Sequence, residues 1–177
     1  MNRKLALIPI LTLIAAAASA QMGAQPGPEV KKLDYFVGAW TTEGTIAQGP
    51  WGAGGKFSAT DTREWMPGNF FVQEHSDYKM PAEVGGDGKE VSFMGYDTDQ
   101  NVYTYDAFNS VGRHETSKGS VSGDTWAWTS SASYGGQDIL QKMTMKVLSP
   151  TSFNMKFEVS MDGKTWMTFM ECKATKK

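Results

Sequence analysis

Cysteine is almost absent from this chain, which has one in 177 residues. Cys172 therefore has no second cysteine with which to form an intramolecular disulfide, so the core and the hydrogen bonds must hold the fold together. Its position within a strand-like segment predicts a buried, unreactive thiol. Histidine is also scarce, and His75 and His114 have no third ligand at a spacing typical of a metal site. The sequence therefore predicts no metal centre.

The chain also lacks a basic patch and a hydrophobic run long enough to span a membrane. It has 17 Lys and Arg residues against 19 Asp and Glu residues, a balance that argues against nucleic acid or an anionic membrane surface as a partner. The apolar run from Leu5 to Ala18 has 14 residues and contains Pro9, whereas a spanning helix needs about 20 residues. We therefore expect no nucleic-acid partner and no membrane anchor.

The same apolar run has the features of a signal peptide. Arg3 and Lys4 precede it, and Ala18-Ser19-Ala20 ends it with a small-x-small cleavage site. We predict that residues 1–20 are removed and that the protein is periplasmic or secreted. Without Arg3 and Lys4, the remaining 157 residues have 15 basic and 19 acidic side chains, a net charge of −4. This length suits a single domain.

What the sequence has in abundance is strict alternation of apolar and polar residues. From Phe153 to Met161 every second residue is apolar and the residues between them are polar. A period of two indicates a β-strand with one buried face. The Asp162-Gly163 dipeptide that follows is a strong hairpin signal. Similar segments predict ten strands, at about 39–47, 55–65, 69–79, 89–97, 101–108, 113–121, 124–133, 137–148, 151–161 and 164–174.

The connections between these segments favour antiparallel strands, because none is long enough to hold the crossover helix that parallel strands require. Residues 49–55, with Trp51, and residues 80–88 form two longer loops that we expect at a rim. We therefore predict an all-β protein with a single antiparallel up-and-down β-barrel of about ten strands, and a β-sandwich is the alternative. Residues 21–28 are predicted to be a linker, and 29–177 the barrel domain, which begins with a short helical turn over Glu29 to Val37.

Several motifs, taken in order, resemble a known bacterial family. Gly38-Ala39-Trp40 is similar to the Gly-x-Trp motif at the start of the first strand in lipocalin-like, or calycin, barrels. With the segments at 66–71, 94–103, 118–126 and 149–153, it resembles the domain-of-unknown-function family 1579 over about residues 33–175. The resemblance implies a lipocalin-like barrel, frequently exported, with no settled activity. It also implies structural roles for Gly38 and Trp40, with Trp40 sealing the closed end.

The residues argue against two cofactors, haem and copper(I). Nitrobindin-like haem barrels share the Gly-x-Trp motif and bind iron through a histidine on a late strand, but the last two predicted strands contain no histidine. Six methionines between positions 143 and 170 are soft ligands that suit copper(I). The even offset between Met143 and Met145, however, favours lining of a core or cavity. We therefore predict no cofactor.

The aromatic residues are the best candidates for a binding site. Tyr103 and Tyr105 share one strand face, as do Trp126 and Trp128, and large rings with a polar tip suit a cavity wall. A packed core is the alternative, since alternation alone does not say which face is inside. Two arginines are candidates for binding a carboxylate or phosphate. The candidate ligand-binding residues are Arg63, Trp65, His75, Tyr96, Tyr103, Tyr105, Arg113, Trp126 and Trp128.

Three functions are compatible with these residues. The first is an exported protein that binds a small hydrophobic ligand in the barrel. The second is an enzyme on the same scaffold that uses His75 with Glu74 or Arg63 as acid–base groups. No nucleophile–base pair is visible, so we expect a binding protein rather than an enzyme. The third is a protein-interaction module that uses the Trp51 loop and the outer face of the barrel.

Overall fold

The computed structural model describes residues 25–134 and 136–177. The predicted signal peptide, residues 1–20, lies outside these ranges, as do residues 21–24 of the predicted linker. The described chain begins with a short helix, α1 (Pro28–Lys31), which continues as a 3-10 turn (Lys32–Phe36). The strands are β1 (Gly38–Ile46), β2 (Gly55–Trp65), β3 (Val72–Lys79), β4 (Gly88–Asp97), β5 (Val102–Asn109), β6 (His114–Ser122), β7 (Thr125–Tyr134), β8 (Gln137–Ser149), β9 (Ser152–Ser160) and β10 (Met167–Lys176).

These strands form one closed antiparallel barrel. Each strand pairs with its neighbours in sequence, and β1 closes the barrel by pairing with β10, with Trp40 opposite Lys176. The predicted barrel is therefore confirmed, and each strand begins and ends within three residues of its predicted bounds. Within the described residues, no helix is long and apolar enough to cross a membrane.

The helix and its 3-10 turn insert into one end of the barrel, which we call the closed end. Leu33 and Phe36 are fully buried there, and the Trp40 indole nitrogen donates a hydrogen bond to the Phe36 carbonyl oxygen at 2.7 Å. The Phe36 ring meets Trp126 at 5.0 Å and Phe153 at 6.0 Å, both nearly edge-on. These contacts fill the closed end with aromatic side chains, so any ligand space must lie toward the opposite end, to which we give the name open end.

The alternation predicted for β9 places Phe153, Phe157 and Val159 on the inner face. Phe153 and Val159 are buried, and Phe157 is partly buried. Met161, the last residue of the predicted alternation, lies beyond the end of β9 and is exposed. The Asp162 carboxylate there accepts backbone hydrogen bonds from Lys164 and Thr165, so the chain turns before Met161 can join the inner face.

Candidate functional site in the barrel interior

Most of the aromatic candidates form the floor of the barrel rather than the wall of a cavity. Trp126 and Trp128 are buried and stack with ring centroids 5.6 Å apart. Tyr103 packs on Trp126 at 4.8 Å, and its hydroxyl donates a hydrogen bond of 2.7 Å to the Glu29 carboxylate of α1. The Tyr96 ring packs on Tyr103 in turn, with the two ring centroids 4.9 Å apart. This group therefore fixes the helix in the closed end.

Trp65 and Gly38 also belong to the closed end. The Trp65 indole nitrogen donates a hydrogen bond of 2.8 Å to the Asp34 carboxylate in the 3-10 turn. Gly38 has a φ of 125°, a conformation that side chains rarely adopt, at the point where the chain leaves that turn and enters β1. Both residues position the helix against the barrel.

A buried ionic layer lies directly above the aromatic floor. Arg63 on β2 is 5% exposed, and its Nη2 lies 3.0 Å from Glu74 Oε1 and 3.4 Å from Asp61 Oδ2. Ser76 donates a hydrogen bond of 2.7 Å to Asp61, and Ser92 donates one of 3.3 Å to Glu74. Burial and the negative charge of Glu74 raise the pKa of Asp61. The barrel thus contains charges that must be balanced within its interior.

Three buried hydrogen-bond donors in the ionic layer and the aromatic floor of the described barrel have no acceptor. The Arg63 guanidinium carbon lies 5.6 Å from the centre of the Trp40 ring and 5.8 Å from that of Phe153. Its Nε and Nη1 atoms are buried and make no hydrogen bond within the described residues, and the same holds for Trp128 Nε1. Buried donors are nearly always paired in proteins, so three in one interior indicate a place where a polar group can bind.

A second group of carboxyl groups lies between the ionic layer and the open end. The Tyr105 hydroxyl donates a hydrogen bond of 3.1 Å to Glu90 on β4. Burial, together with the negative charges of Glu74, Glu115 and Asp61, raises the pKa of Glu90 to about 7. Because the charges of Glu74, Glu115 and Asp61 all act on Glu90, the carboxyl groups of β2, β3, β4 and β6 form one electrostatic unit.

Glu115 on β6 completes this unit. Its carboxylate accepts hydrogen bonds from the hydroxyls of Ser130, at 2.7 Å, and Ser117, at 3.2 Å. The Ser130 oxygen also lies 3.0 Å from Gln141 Oε1 on β8. Burial and the charges of Glu90 and Glu74 raise the pKa of Tyr105 well above its usual value, so its hydroxyl stays protonated.

The opposite wall, formed by β8, β9 and β10, is apolar. Met145 faces Met155 across β8 and β9, and Met155 faces Cys172 across β9 and β10. Nearer the open end, Met143, Phe157 and Met170 form the next row. Burial raises the pKa of the Cys172 thiol to about 12, as expected for an inert, uncharged group. The interior is therefore divided into an acidic wall and a sulfur-rich apolar wall.

The Trp51 loop packs onto the rim of the open end. The Trp51 indole nitrogen donates a hydrogen bond of 2.8 Å to the Ala47 carbonyl oxygen, and its ring meets Phe169 at 5.2 Å. Phe169 in turn contacts Phe157 of the inner wall at 5.8 Å. Trp51 is half-buried, so part of its ring packs within the barrel rim.

The structure does not bring His75 together with its predicted acid–base partners. Glu74 and Arg63 point into the barrel, so the next residue on β3, His75, points outward, where it is exposed and lies 2.9 Å from Gln73. Arg113 is exposed in the turn between β5 and β6. Among the described residues, no group of three or more His, Cys, Asp or Glu side chains is arranged to hold a metal ion.

The residues that the sequence did not single out are Asp61, Glu90 and Glu115. Each lies on a strand at an even offset from a residue that faces the interior, as Asp61 does from Arg63. Once the inner face of a strand is known, an even offset from an inward-facing residue predicts that these acidic residues also face the interior. An acidic residue in an alternating strand otherwise indicates the solvent side.

A groove on the outside of the barrel is a weaker candidate. It has a volume of about 680 Å³ and crosses the outer faces of β1 to β4. Its charged residues include Asp77 and Lys89, which pair with each other, and both are exposed. None of the buried donors without an acceptor in the described ranges lies there. The interior is therefore the better site.

The chain matches a protein family and resembles a solved structure in fold. A family model described as "Protein of unknown function (DUF1579)" matches residues 25–176. Among solved structures, the crystal structure of Rv2717c from M. tuberculosis aligns with a TM-score of 0.59 at 10% sequence identity. The alignment covers 86% of this chain and 99% of that chain. At that identity, the likeness is one of fold alone. No curated protein sequence matches the chain.

Proposed function

This chain belongs to the DUF1579 family, and within that barrel family we propose that it binds a small, largely apolar molecule in the open half of the barrel. The observation that carries the proposal is the set of buried donors without acceptors, Arg63 Nε, Arg63 Nη1 and Trp128 Nε1. A guest with a hydrogen-bond acceptor would satisfy donors that the described residues leave unpaired.

The apolar wall supports the same proposal. Met143, Met155 and Met170 face the interior and are only partly buried. Methionine is flexible and polarisable, and it adapts to irregular apolar shapes. The body of the ligand would lie on this wall, with its acceptor directed toward Arg63.

The binding test starts from protein purified without denaturation. Native mass spectrometry is expected to reveal a bound small molecule, and adding hydrophobic metabolites to stripped protein should raise its melting temperature. The variant Ala107→Trp places a large side chain on the inner face of β5, where Ala107 is buried. It should abolish both effects, whereas Ser120→Trp on the outer face of β6 should not.

Circular dichroism shows whether each tryptophan variant retains the strands, and Ala107→Leu replaces Ala107→Trp if the latter does not fold. Two results would contradict the proposal. The first is repeated recovery of empty protein with no thermal shift. The second is binding that Ala107→Trp leaves unchanged, because the guest would then lie outside the barrel.

We also propose that the protein is exported. The support is the N-terminal sequence: Arg3 and Lys4, the apolar run, and the Ala18-Ser19-Ala20 cleavage site. Cell fractionation should find the protein outside the cytoplasm, and N-terminal sequencing should find Gln21 first. Recovery of intact chain beginning at Met1 in the cytoplasm would contradict this assignment.

A further inference from the structure

The inner charges of the barrel are strongly unequal. Among the described residues, Asp61, Glu74, Glu90 and Glu115 contribute four carboxyl groups to the interior, against the one guanidinium of Arg63. Of the other described cations near the barrel ends, Lys176 donates to the Tyr35 carbonyl at the closed end, and Arg113 lies in the turn at the open end. The interior therefore has an excess of acidic groups.

Arg63 does not neutralise the outer pair of carboxyl groups. Its Nη2 is held between Asp61 and Glu74, and that trio has a net charge of −1 when both acids are ionised. Within the described part of the chain, Glu90 and Glu115 accept hydrogen bonds only from hydroxyl groups, those of Tyr105, Ser117 and Ser130. In residues 25–134 and 136–177, neither glutamate forms an ion pair with a Lys, Arg or His.

A carboxylate can accept about four hydrogen bonds, so Glu90 and Glu115 retain free acceptor capacity. The buried, partly unpaired Arg63 below them is an independent sign that a polar guest belongs in this space. An anionic guest would add a further negative charge to a group of like charges, which low dielectric makes costly. A cationic guest would relieve that repulsion and use the free lone pairs.

We propose that the barrel selects an amphipathic amine, with its protonated nitrogen bound by Glu90 and Glu115 and its apolar body on the methionine wall. The inference rests on the proposed function and specifies its ligand class. A neutral oxygen on the same ligand would accept hydrogen bonds from Arg63. Anionic amphiphiles of fatty-acid type are excluded by the same carboxyl groups.

Three probes of equal chain length test the charge preference: octylamine, octanol and octanoate, titrated into stripped protein near pH 8 by calorimetry. Charge-assisted hydrogen bonds predict that octylamine binds at least about tenfold more tightly than octanol, and octanoate the least tightly. The variants Glu90→Gln and Glu115→Gln should each weaken octylamine binding by about tenfold and leave octanol unchanged. Glu64→Gln, at an exposed position on the outer face of β2, is the matched control.

The outcomes separate the two proposals. If octanoate or octanol binds as tightly as octylamine, or if the glutamine variants bind octylamine like the wild type, the amine assignment is overturned while barrel binding stands. If Ala107→Trp does not reduce octylamine binding, the amine binds outside the barrel and the assignment also fails. If octylamine, octanol and octanoate all fail to bind, both proposals are contradicted for ligands of this size.

Discussion

Glu90 offers a quantitative test of the buried acidic group. Its pKa rises from 4.5 to about 7 in the folded protein, first because of burial and then because of the neighbouring carboxylates. The folded protein therefore holds this proton more tightly than the unfolded chain does. Between about pH 4.5 and pH 7, stability falls as pH rises, and above pH 7 the loss is complete. At about 1.4 kcal/mol per pKa unit, the loss is about 3 kcal/mol.

The variant Glu90→Gln imitates the protonated carboxyl group and keeps an acceptor for the Tyr105 hydroxyl. We expect it to match the wild type near pH 4.5 and to be more stable by up to about 3 kcal/mol near pH 8. The repulsion between Glu90 and Asp61 is already part of this gain, because the charge of Asp61 is one of the causes of the raised pKa of Glu90. Urea denaturation of ligand-free protein at both pH values gives the two free energies of unfolding.

The exposed variant Glu64→Gln controls for a general change in net charge, and it should shift stability by less than about 0.5 kcal/mol at either pH. A wild-type-like stability of Glu90→Gln at pH 8 would refute the reasoning, because it would mean that the ionised carboxylate is well solvated. A gain of equal size at pH 4.5 and pH 8 would refute it too, since protonation would then not be the cause.

Three further predictions concern buried groups elsewhere in the barrel. Arg63→Met should cost about 3–5 kcal/mol in the free energy of unfolding near pH 8, since it leaves two buried carboxylates without their cation, whereas the exposed Arg113→Met should cost less than about 1 kcal/mol. Gly44→Ala should lower the melting temperature by several degrees because its Cβ would overlap the backbone carbonyl of the facing strand β10, whereas Gly27→Ala, which meets nothing, should change it little. Cys172 should react with a thiol reagent only after unfolding, because burial raises its pKa to about 12; rapid labelling of folded protein would contradict this.

The strands and turns were predictable because they depend on local signals. Alternation along β9 and the Asp162-Gly163 turn require only neighbouring residues. Which face is inside was not predictable in the same way. On β2 the inner face contains Asp61 and Arg63, while the outer face contains Thr60 and Glu64, so the two faces are similarly polar.

The residues of the candidate site follow from which strand face lies inside the barrel and from which residues pair across neighbouring strands. Arg63 becomes a buried ionic group only because register places it opposite Glu74, a contact that no single strand reveals. Tyr103 and Tyr105 lie on the same face of β5, as predicted, but they lie at different depths in the barrel. Tyr103 contacts α1 at the closed end, and Tyr105 contacts Glu90 farther up. Depth follows from the tilt and stagger of all strands together, which the sequence pattern does not encode locally.

The seam between β1 and β10 has a consequence for how the chain reaches its native state. In the described chain, every other strand pairing joins consecutive strands, but this one joins Trp40 to Lys176. Contacts between such distant residues slow folding, because a long loop must close before they form. A circular permutant that links the two ends and opens a turn such as that at Gly123 would make the seam a local hairpin, and would move the slow closure to a different pair of strands.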